Sequence, residues 1–363
     1  MRFFVPTDLR IGAEIVSTSA EAFHALGEKC LILTGSSSAK QSGALDDLCR
    51  TLDNLEIAYI VYDRIRQNPA VDICREAGLL ALQMQADFLV GIGGGSVLDA
   101  AKAAAVFAAN PDLDEENLYA YAWKKAPLPV VCIGTTAGTG SEVTPVSVLT
   151  DSTGRKRSIR EDRLYPALSL GDPRYLESVP PTFVRSCAVD AAAHCIESYF
   201  AKPATPVSRL FAARGAAMLA SLLDRLDALG APEYEQLYLA SIYGGYAISV
   251  TGTAFPHAMG YFLTETYHVA HGTACAVFLP AFLQHAAECA PQDANAFAVQ
   301  TGCTVQGWIS LLQRTAPACG VSLTAAQIEA LRPRFVHNSG LARTPGIFTD
   351  DEAVQTLKKL FQK

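Results

Sequence analysis

The chain has 363 residues, of which 50% are hydrophobic and 18% are charged, and its formal net charge is −7. This length suits two domains, and the composition is typical of a compact globular protein rather than a disordered one. The acidic balance and the lack of a long basic cluster argue against a nucleic-acid partner.

The cysteines and the N-terminal segment indicate the cellular compartment in which we expect the protein. None of the ten cysteines forms a CxxC pair, which argues against a zinc knuckle or a thioredoxin-like motif. They are scattered through apolar runs, so we expect reduced, mostly core residues. The N-terminal segment lacks a signal-peptide pattern, and no run of 18 apolar residues occurs. We therefore expect a cytoplasmic protein with no membrane partner.

The first half of the chain alternates strand-like and helix-like segments. Apolar runs predict strands at residues 30–35, 57–63, 87–94 and 128–136. Helical spacing of apolar residues predicts helices at 39–53, 69–86 and 96–110. Near-continuous apolar strands alternating with helices indicate a parallel sheet that is covered on both faces.

The second half has a different texture. Pro180 and Pro181 interrupt the chain, and no convincing alternating strand pattern follows them. Long Ala/Leu-rich stretches instead predict helices, at residues 206–228, 235–250, 273–289 and 351–363. We expect an α/β domain over residues 1–178 and an all-helical domain over residues 179–363.

Three turns follow strands of the predicted sheet, at the edge where open α/β sheets bind ligands. "GIGGGSVLDAAK" (91–102) can bring its backbone close to a phosphate and offers the N-terminus of a helix, although a tight structural turn would look the same. "TTAGTGSEVT" (135–144) adds hydroxyls and two glycines. Two such turns together favour a dinucleotide site.

The third turn, "TGSSSAK" (34–40), bears on which dinucleotide binds. An acidic side chain after such a strand holds the adenosine ribose in dinucleotide folds that use NAD. Here the segment has glycine, three serines and Lys40, with no carboxylate before Asp46. An additional phosphate would be tolerated there. Serines that cap the following helix would explain the same pattern equally well.

"DAAAHCIES" (190–198) places Asp190 and His194 about one helical turn apart, on the same face of a predicted helix. Such a pair can be half of a metal site, half of an acid/base pair or a buried hydrogen bond. Four of the seven histidines of the chain lie between residues 257 and 285. Asp190, His194, His257 and His271 would together offer one oxygen and three nitrogens, a set that suits Fe²⁺ or Zn²⁺.

The spacing of two of these histidines imposes a condition. In one straight helix His257 and His271 would lie roughly 21 Å apart, too far to share an ion. The chain must therefore turn back between them, near Val269–Ala270, and His268 is a rival ligand.

The motifs "GGGSVLDAAK", "TTAGTGSEVT", "DAAAHCIES" and "FPHAMGYFLTETYHVAHG" occur in an order and at separations that resemble the iron-dependent (group III) alcohol dehydrogenase family. The resemblance runs from about residue 30 to 285. It implies a dinucleotide-binding α/β domain and a helical metal-binding domain of dehydroquinate synthase-like architecture. It also implies that Asp190, His194, His257 and His271 are the metal ligands, with His257 favoured over His268.

The resemblance also implies which residues contact the cofactor. The family's pyrophosphate loop corresponds to Gly94–Asp99, and its second cofactor loop corresponds to the threonines that follow strand 128–136. Together with the turn after the first strand, the cofactor-binding set is Gly35, Ser36, Ser37, Ser38, Asn68, Gly94, Gly95, Ser96, Asp99, Thr135, Thr136, Thr139, Ser141 and Lys156. The segment "TGSSSAK" is similar to that of members that use NADP rather than NAD.

Two positions depart from the family pattern. Tyr261 stands where many members have a histidine, and Cys275 stands where many have an asparagine. The metal set is intact, but the route of the proton and the substrate pocket differ from those members. Tyr261 and a cofactor ribose hydroxyl are the candidates for proton transfer.

We therefore expect an NADP(H)-dependent alcohol dehydrogenase or aldehyde reductase that uses Fe²⁺, or alternatively Zn²⁺, with NAD as the alternative nucleotide. We expect a homo-oligomer, a dimer. No Lys or Arg lies between residues 245 and 285, so small neutral substrates are expected and phosphorylated ones are not. The alternatives are a polyol or polyol-phosphate dehydrogenase, a dehydroquinate synthase-like enzyme, and a non-catalytic scaffold that retains the fold.

Overall fold

In the computed structural model, which describes residues 2–362, the chain divides into two compact units. The division falls between Val179 and Pro180, and Phe3 groups with the second unit. The first unit contains every strand of the described chain, namely β1 (Asp8–Ile11), β2 (Lys29–Thr34), β3 (Ala58–Tyr62), β4 (Phe88–Gly93), β5 (Val130–Gly134), β6 (Val146–Thr150), β7 (Lys156–Arg160) and β8 (Leu168–Gly171).

Six of these strands form one parallel sheet in the order β1-β8-β5-β4-β2-β3. The strands β4, β5 and β8 are buried along their whole length because the sheet is covered on both faces. Leu31 and Leu33 pack into one core cluster, while the alternate residues Cys30 and Ile32 pack into another. The predicted parallel sheet is therefore confirmed.

The four predicted strands are all present, with bounds within two residues of those expected. The edge strand β1, the inner strand β8 and the antiparallel hairpin of β6 and β7 were not predicted. The helices of this unit are α1 (Ile15–Thr18), α2 (Ala20–His24), α3 (Ser38–Gln41), α4 (Ala44–Asn54), α5 (Val71–Gln83), α6 (Gly95–Ala109) and α7 (Glu115–Tyr119). The helix expected at 39–53 is split, because Gly43 adopts a left-handed φ of 82° between α3 and α4.

The second unit is helical, as predicted. Its helices are α8 (Pro181–Phe200), α9 (Pro206–Leu222), α10 (Ala231–Thr251), α11 (Phe255–Tyr267), α12 (His271–Ala276), α13 (Leu279–Cys289), α14 (Pro291–Thr301), α15 (Val305–Thr315), α16 (Ala325–Leu331), α17 (Ser339–Arg343) and α18 (Asp350–Phe361). The pairing between Leu323 and Gln362 is an isolated bridge rather than a strand. Over residues 2–362, no helix combines the length and apolarity that a membrane span requires.

Candidate metal centre and nucleotide-binding turns

The helix α8 carries one polar face in an otherwise apolar, alanine-rich sequence. It begins at Pro181, where proline is compatible with the first helical turn. Asp190, His194 and Glu197 follow at intervals of four and three residues, so their side chains leave the same face. All three residues are buried. Buried polar side chains need partners, and the partners come from α11 and α12.

The chain reverses between the two histidines that the sequence pairs. Helix α11 ends at Tyr267, and His268 then adopts a left-handed φ of 55°. Val269 N donates a hydrogen bond back to Leu263 O, and α12 begins at His271. The predicted turn is confirmed, and it brings His257 and His271 to a ring-centroid distance of 5.3 Å. The side chain of His268 is exposed.

Glycine allows α12 to lie against α8. A Cβ atom on Gly272 would lie 1.9 Å from Ser186 O and 2.8 Å from Asp190 Cβ. Thr273 N donates to Ser186 Oγ at 3.3 Å across the same contact. The glycine that follows His271 therefore has a packing role, because any side chain there would push His271 away from Asp190.

Four donor groups converge where α8, α11 and α12 meet. Asp190, His257, His271 and Cys275 each place one donor atom within 4.8 Å of the other three. Asp190 Oδ1 lies 3.5 Å from His257 Nε2 and 4.0 Å from His271 Nε2. Neither Asp190 Oδ1 nor His257 Nε2 has a hydrogen-bond partner within residues 2–362, although both atoms are buried. Buried atoms of this kind need a partner, and a metal ion would supply it.

His194 lies beside this group. Its ring stacks on that of His257, with centroids 4.6 Å apart and planes 23° apart. Three of the four ligands expected from the sequence therefore converge with Cys275. The fourth, His194, packs against the ring of His257.

The electrostatics of the group favour a positive charge. Burial opposes ionisation of Asp190, but the nearby His194, His257 and His271 outweigh it, so the pKa of the carboxyl lies below its ordinary value. Burial also opposes protonation of His257, but Cys275, Glu197 and Asp190 hold its pKa well above the ordinary value. A carboxylate that ionises easily beside a histidine that readily takes a proton is an environment that a cation would occupy favourably.

Glu197 was not singled out as a site residue from the sequence. Its Oε1 lies 2.5 Å from His257 Nδ1, and its Oε2 accepts a hydrogen bond of 2.6 Å from Ala254 N, at the start of α11. Because Nδ1 donates to this carboxylate, the neutral ring has its lone pair on Nε2, which lies 3.5 Å from Asp190 Oδ1. The i,i+3 spacing from His194 was the signal that could have identified it, because it puts Glu197 on the same helical face.

Tyr261 lies next to the donor group, since its ring stacks on that of His271 at a centroid distance of 5.8 Å. Cys275 is fully buried, and its Sγ lies 3.9 Å from both ring nitrogens of His271. Burial raises the pKa of the Cys275 thiol to about 11.

In the first unit, the two glycine-containing turns that the sequence assigns to a cofactor are in contact. A Cβ atom on Gly94 would lie 3.0 Å from Thr136 Oγ1, and one on Gly95 would lie 2.6 Å from Thr139 Cγ2. Gly94 is the N-cap of α6, so the free N–H groups of that helix begin at this contact.

Several of the other expected cofactor residues hold these turns together. Asp99 accepts hydrogen bonds from Ser141 Oγ at 2.7 Å and from Val148 N at 2.9 Å. The buried Lys102 donates to Ser141 O and Thr144 O. Burial raises the pKa of Asp99, while Lys102 and, more weakly, Lys156 oppose that effect. Asn68, at a left-handed φ of 56°, donates from its backbone N to Ser96 Oγ.

Two threonine hydroxyls lie at the carboxyl ends of the two strands that flank β4 in this sheet. Thr34 ends β2 and Thr135 follows β5, and β4 lies between these strands. Within the described chain, Thr34 Oγ1 and Thr135 Oγ1 are buried and have no hydrogen-bond partner. This is the edge at which parallel sheets bind nucleotides, and the two unpaired hydroxyls fit such a ligand.

The turn after β2 is open. Ser36, Ser37 and Ser38 are exposed, and a Cβ atom on Gly35 would meet only ordinary contacts, the nearest at 3.4 Å. Lys40 Nζ lies 4.0 Å from Asp63 Oδ2, a carboxylate that follows β3.

Two family models match the chain. The model of iron-containing alcohol dehydrogenase matches residues 6–173, and that of the C-terminal domain of the Fe-containing alcohol dehydrogenase family matches residues 185–343. The chain belongs to the iron-containing alcohol dehydrogenase family. It is therefore an oxidoreductase, and membership of the family implies a metal and a nucleotide cofactor of the NAD(H) type.

Individual relatives agree with the family assignment. The chain is 33% identical over 282 residues to the probable alcohol dehydrogenase EutG of Salmonella typhimurium, covering 77% of this chain and 71% of that protein. A crystal structure of an iron-containing alcohol dehydrogenase from Thermotoga maritima superposes with a TM-score of 0.91 at 33% identity, covering 99% of each chain. Sulfoacetaldehyde reductase from Bifidobacterium kashiwanohense, solved with NAD⁺, superposes at 0.88 with 26% identity, covering 99% of this chain and 98% of that one.

Proposed function

We propose that this dehydrogenase interconverts small neutral alcohols and aldehydes, with NADP(H) as the nucleotide and with Asp190, His194, His257 and His271 as the ligands of a divalent iron or zinc ion. The observation that carries the proposal is the pair of buried, unpartnered atoms Asp190 Oδ1 and His257 Nε2 within one donor group. A metal bound there would supply Lewis-acid polarisation of the substrate oxygen, and the nicotinamide would carry the hydride.

The residues of the chain have separate tasks in this scheme. Glu197 orients His257 through Nδ1, so that Nε2 faces the other donors. Tyr261, stacked on His271, is the candidate for giving a proton to the substrate oxygen in reduction and taking it back in oxidation. Asp190, His194 and His257 are buried, which limits the access of water that would compete with the substrate.

The NADP preference rests on the turn after β2. Exposed serine hydroxyls and Lys40 can meet a 2′-phosphate, and no carboxylate lies within residues 34–40. Asp63 at 4.0 Å from Lys40 offsets part of the positive charge, so the preference for NADPH is expected to be moderate.

A pair of histidine variants tests the metal ligands. We expect His257→Ala to lose most of its bound metal and its aldehyde reductase activity, because a buried nitrogen donor is removed. His268→Ala is the matched control, since its side chain is exposed and eleven residues further along the same segment. Metal content of the purified proteins by mass spectrometry and NADPH-dependent reduction of short aldehydes are the measurements. Loss of metal from His268→Ala with retention in His257→Ala would overturn the assignment.

A further inference from the structure

We propose that the Cys275 sulfur is a further ligand of the metal, so that this centre combines carboxylate, imidazole and thiolate donors. The inference rests on the proposed metal site and extends its ligand set beyond the four residues given above. Cys275 is four residues after His271 in α12, so both side chains leave one face of the helix.

The distances suit shared coordination. Cys275 Sγ lies 3.9 Å from His271 Nδ1 and 3.9 Å from His271 Nε2. Bonds from zinc measure about 2.3 Å to sulfur and about 2.0 Å to nitrogen. Two such donors on one ion therefore lie about 3.0 Å apart at a right angle, about 3.5 Å apart at the tetrahedral angle and at most about 4.3 Å apart. The donors of the group lie within 4.8 Å of one another. The most widely separated pair must therefore approach by about 0.5 Å if its atoms lie on opposite sides of the ion, and by about 1.3 Å at the tetrahedral angle.

The surroundings of Cys275 agree with this role. The residue is fully buried. The same donor group includes Asp190 Oδ1 and His257 Nε2, two buried atoms without a hydrogen-bond partner in the described part of the chain. A metal bound by Cys275 would displace the thiol proton to solvent, because the thiolate is the binding form. A soft sulfur donor also shifts preference towards Zn²⁺ and Co²⁺ and away from Mn²⁺ and Mg²⁺.

Another buried cysteine provides a matched control. Cys195 lies in α8 next to the proposed ligand His194 and is also fully buried, but its Sγ lies 4.0 Å from Ala240 O. The Cβ that Gly215 lacks would lie 2.6 Å from that sulfur, so Cys195 Sγ occupies a packed contact with other helices. Cys195→Ser therefore removes a buried sulfur near the centre without removing the proposed ligand.

Cobalt is the probe, because a thiolate bound to Co²⁺ gives an intense charge-transfer absorption in the near ultraviolet that nitrogen and oxygen donors do not give. The experiment titrates metal-free full-length protein with Co²⁺ in a Cys289→Ser background, since Cys289 Sγ lies 3.6 Å from His285 Nε2 and could bind cobalt separately. We expect the absorption at one equivalent of Co²⁺ in this background and in Cys195→Ser, and we expect Cys275→Ser to bind Co²⁺ without it.

Three outcomes would overturn the inference. Binding of one equivalent of Co²⁺ without the sulfur absorption, or persistence of that absorption in Cys275→Ser, contradicts thiolate ligation and leaves the four-ligand centre intact. Failure of the parent protein to bind Co²⁺ removes the proposed metal centre and this inference with it. If Cys275→Ser does not fold, absence of the absorption from the Cys289→Ser protein still overturns the inference. As a second readout, the ratio of Zn²⁺ to Mn²⁺ affinity should fall in Cys275→Ser and remain unchanged in Cys195→Ser.

Discussion

At the scale of the residue, the Glu197 carboxylate orients the proposed metal ligand His257 without being a ligand itself. One of its oxygens accepts a hydrogen bond from His257 Nδ1, and the other accepts a hydrogen bond from Ala254 N. Glu197→Gln can still accept from Nδ1, but its amide group would then point a donor at the Ala254 donor. We expect metal affinity to fall by about 10- to 100-fold, as is typical when a partner of a ligating histidine is changed.

Metal-binding titrations on the metal-free protein test this effect, with Ser198→Ala as the control. Ser198 is the neighbouring buried residue on α8, and Thr251 Oγ1 donates to its Oγ at 2.8 Å. Both variants lose a buried hydrogen bond, so both should lower the melting temperature, but Glu197→Gln alone should weaken metal binding. Equal metal affinity in Glu197→Gln and the parent would show that the contact with His257 is structural.

Contacts between site residues could be predicted when the residues are close in sequence, but not when they are far apart. Asp190 and His194 could be paired from sequence because a helix fixes the geometry of residues four apart. The contact of Glu197 with His257 spans 60 residues, and its geometry depends on how α8 packs against α11. The convergence of Cys275 with Asp190 likewise depends on Gly272, whose missing side chain allows α12 to approach α8. Such contacts follow from packing, which the sequence pattern does not specify.

At the scale of the element, the pattern of apolar residues was reliable where strands are buried on both faces. β2, β4 and β5 read as continuous apolar runs and were predicted. β1 and β8 have only four residues each, too short for a periodic signal. The strand β6 alternates partly buried and buried residues, and the alternation of residue types in "VSVLT" is the sequence pattern of a half-buried strand.

The turn between β2 and α3 carries the prediction on cofactor choice. Gly35→Asp introduces a carboxylate where a 2′-phosphate is proposed to bind, and the position has room for a side chain. We expect kcat/KM for NADPH to fall about tenfold relative to that for NADH, because like charges repel at short range. Steady-state kinetics with both nucleotides measure the change, and Gly35→Asn, which has nearly the same shape without the charge, is the control. A parent enzyme that already prefers NADH would contradict the NADP proposal.

At the scale of the whole molecule, positive charge that could bind an anionic substrate is scarce. The chain carries a formal net charge of −7, and no Lys or Arg occurs between residues 245 and 285, the stretch that includes His257, His271 and Cys275. An anionic substrate would thus approach an acidic protein, and the residues around these donors would offer it no cation from that stretch. Apolar side chains in that stretch instead favour a neutral substrate, because each methylene that becomes buried contributes about 0.8 kcal/mol to the free energy of binding.

These features predict that butanal is reduced with a higher kcat/KM than succinic semialdehyde, by about tenfold or more, since an unpaired carboxylate near a buried site loses solvation without compensation. The methyl ester of succinic semialdehyde is the matched control, because it restores neutrality while retaining the length of the chain. We expect the ester to recover most of the difference. A preference for the carboxylated aldehyde, with the ester reduced more slowly, would require a cationic group from outside residues 245–285 to reach the substrate and would overturn the proposal of a neutral substrate.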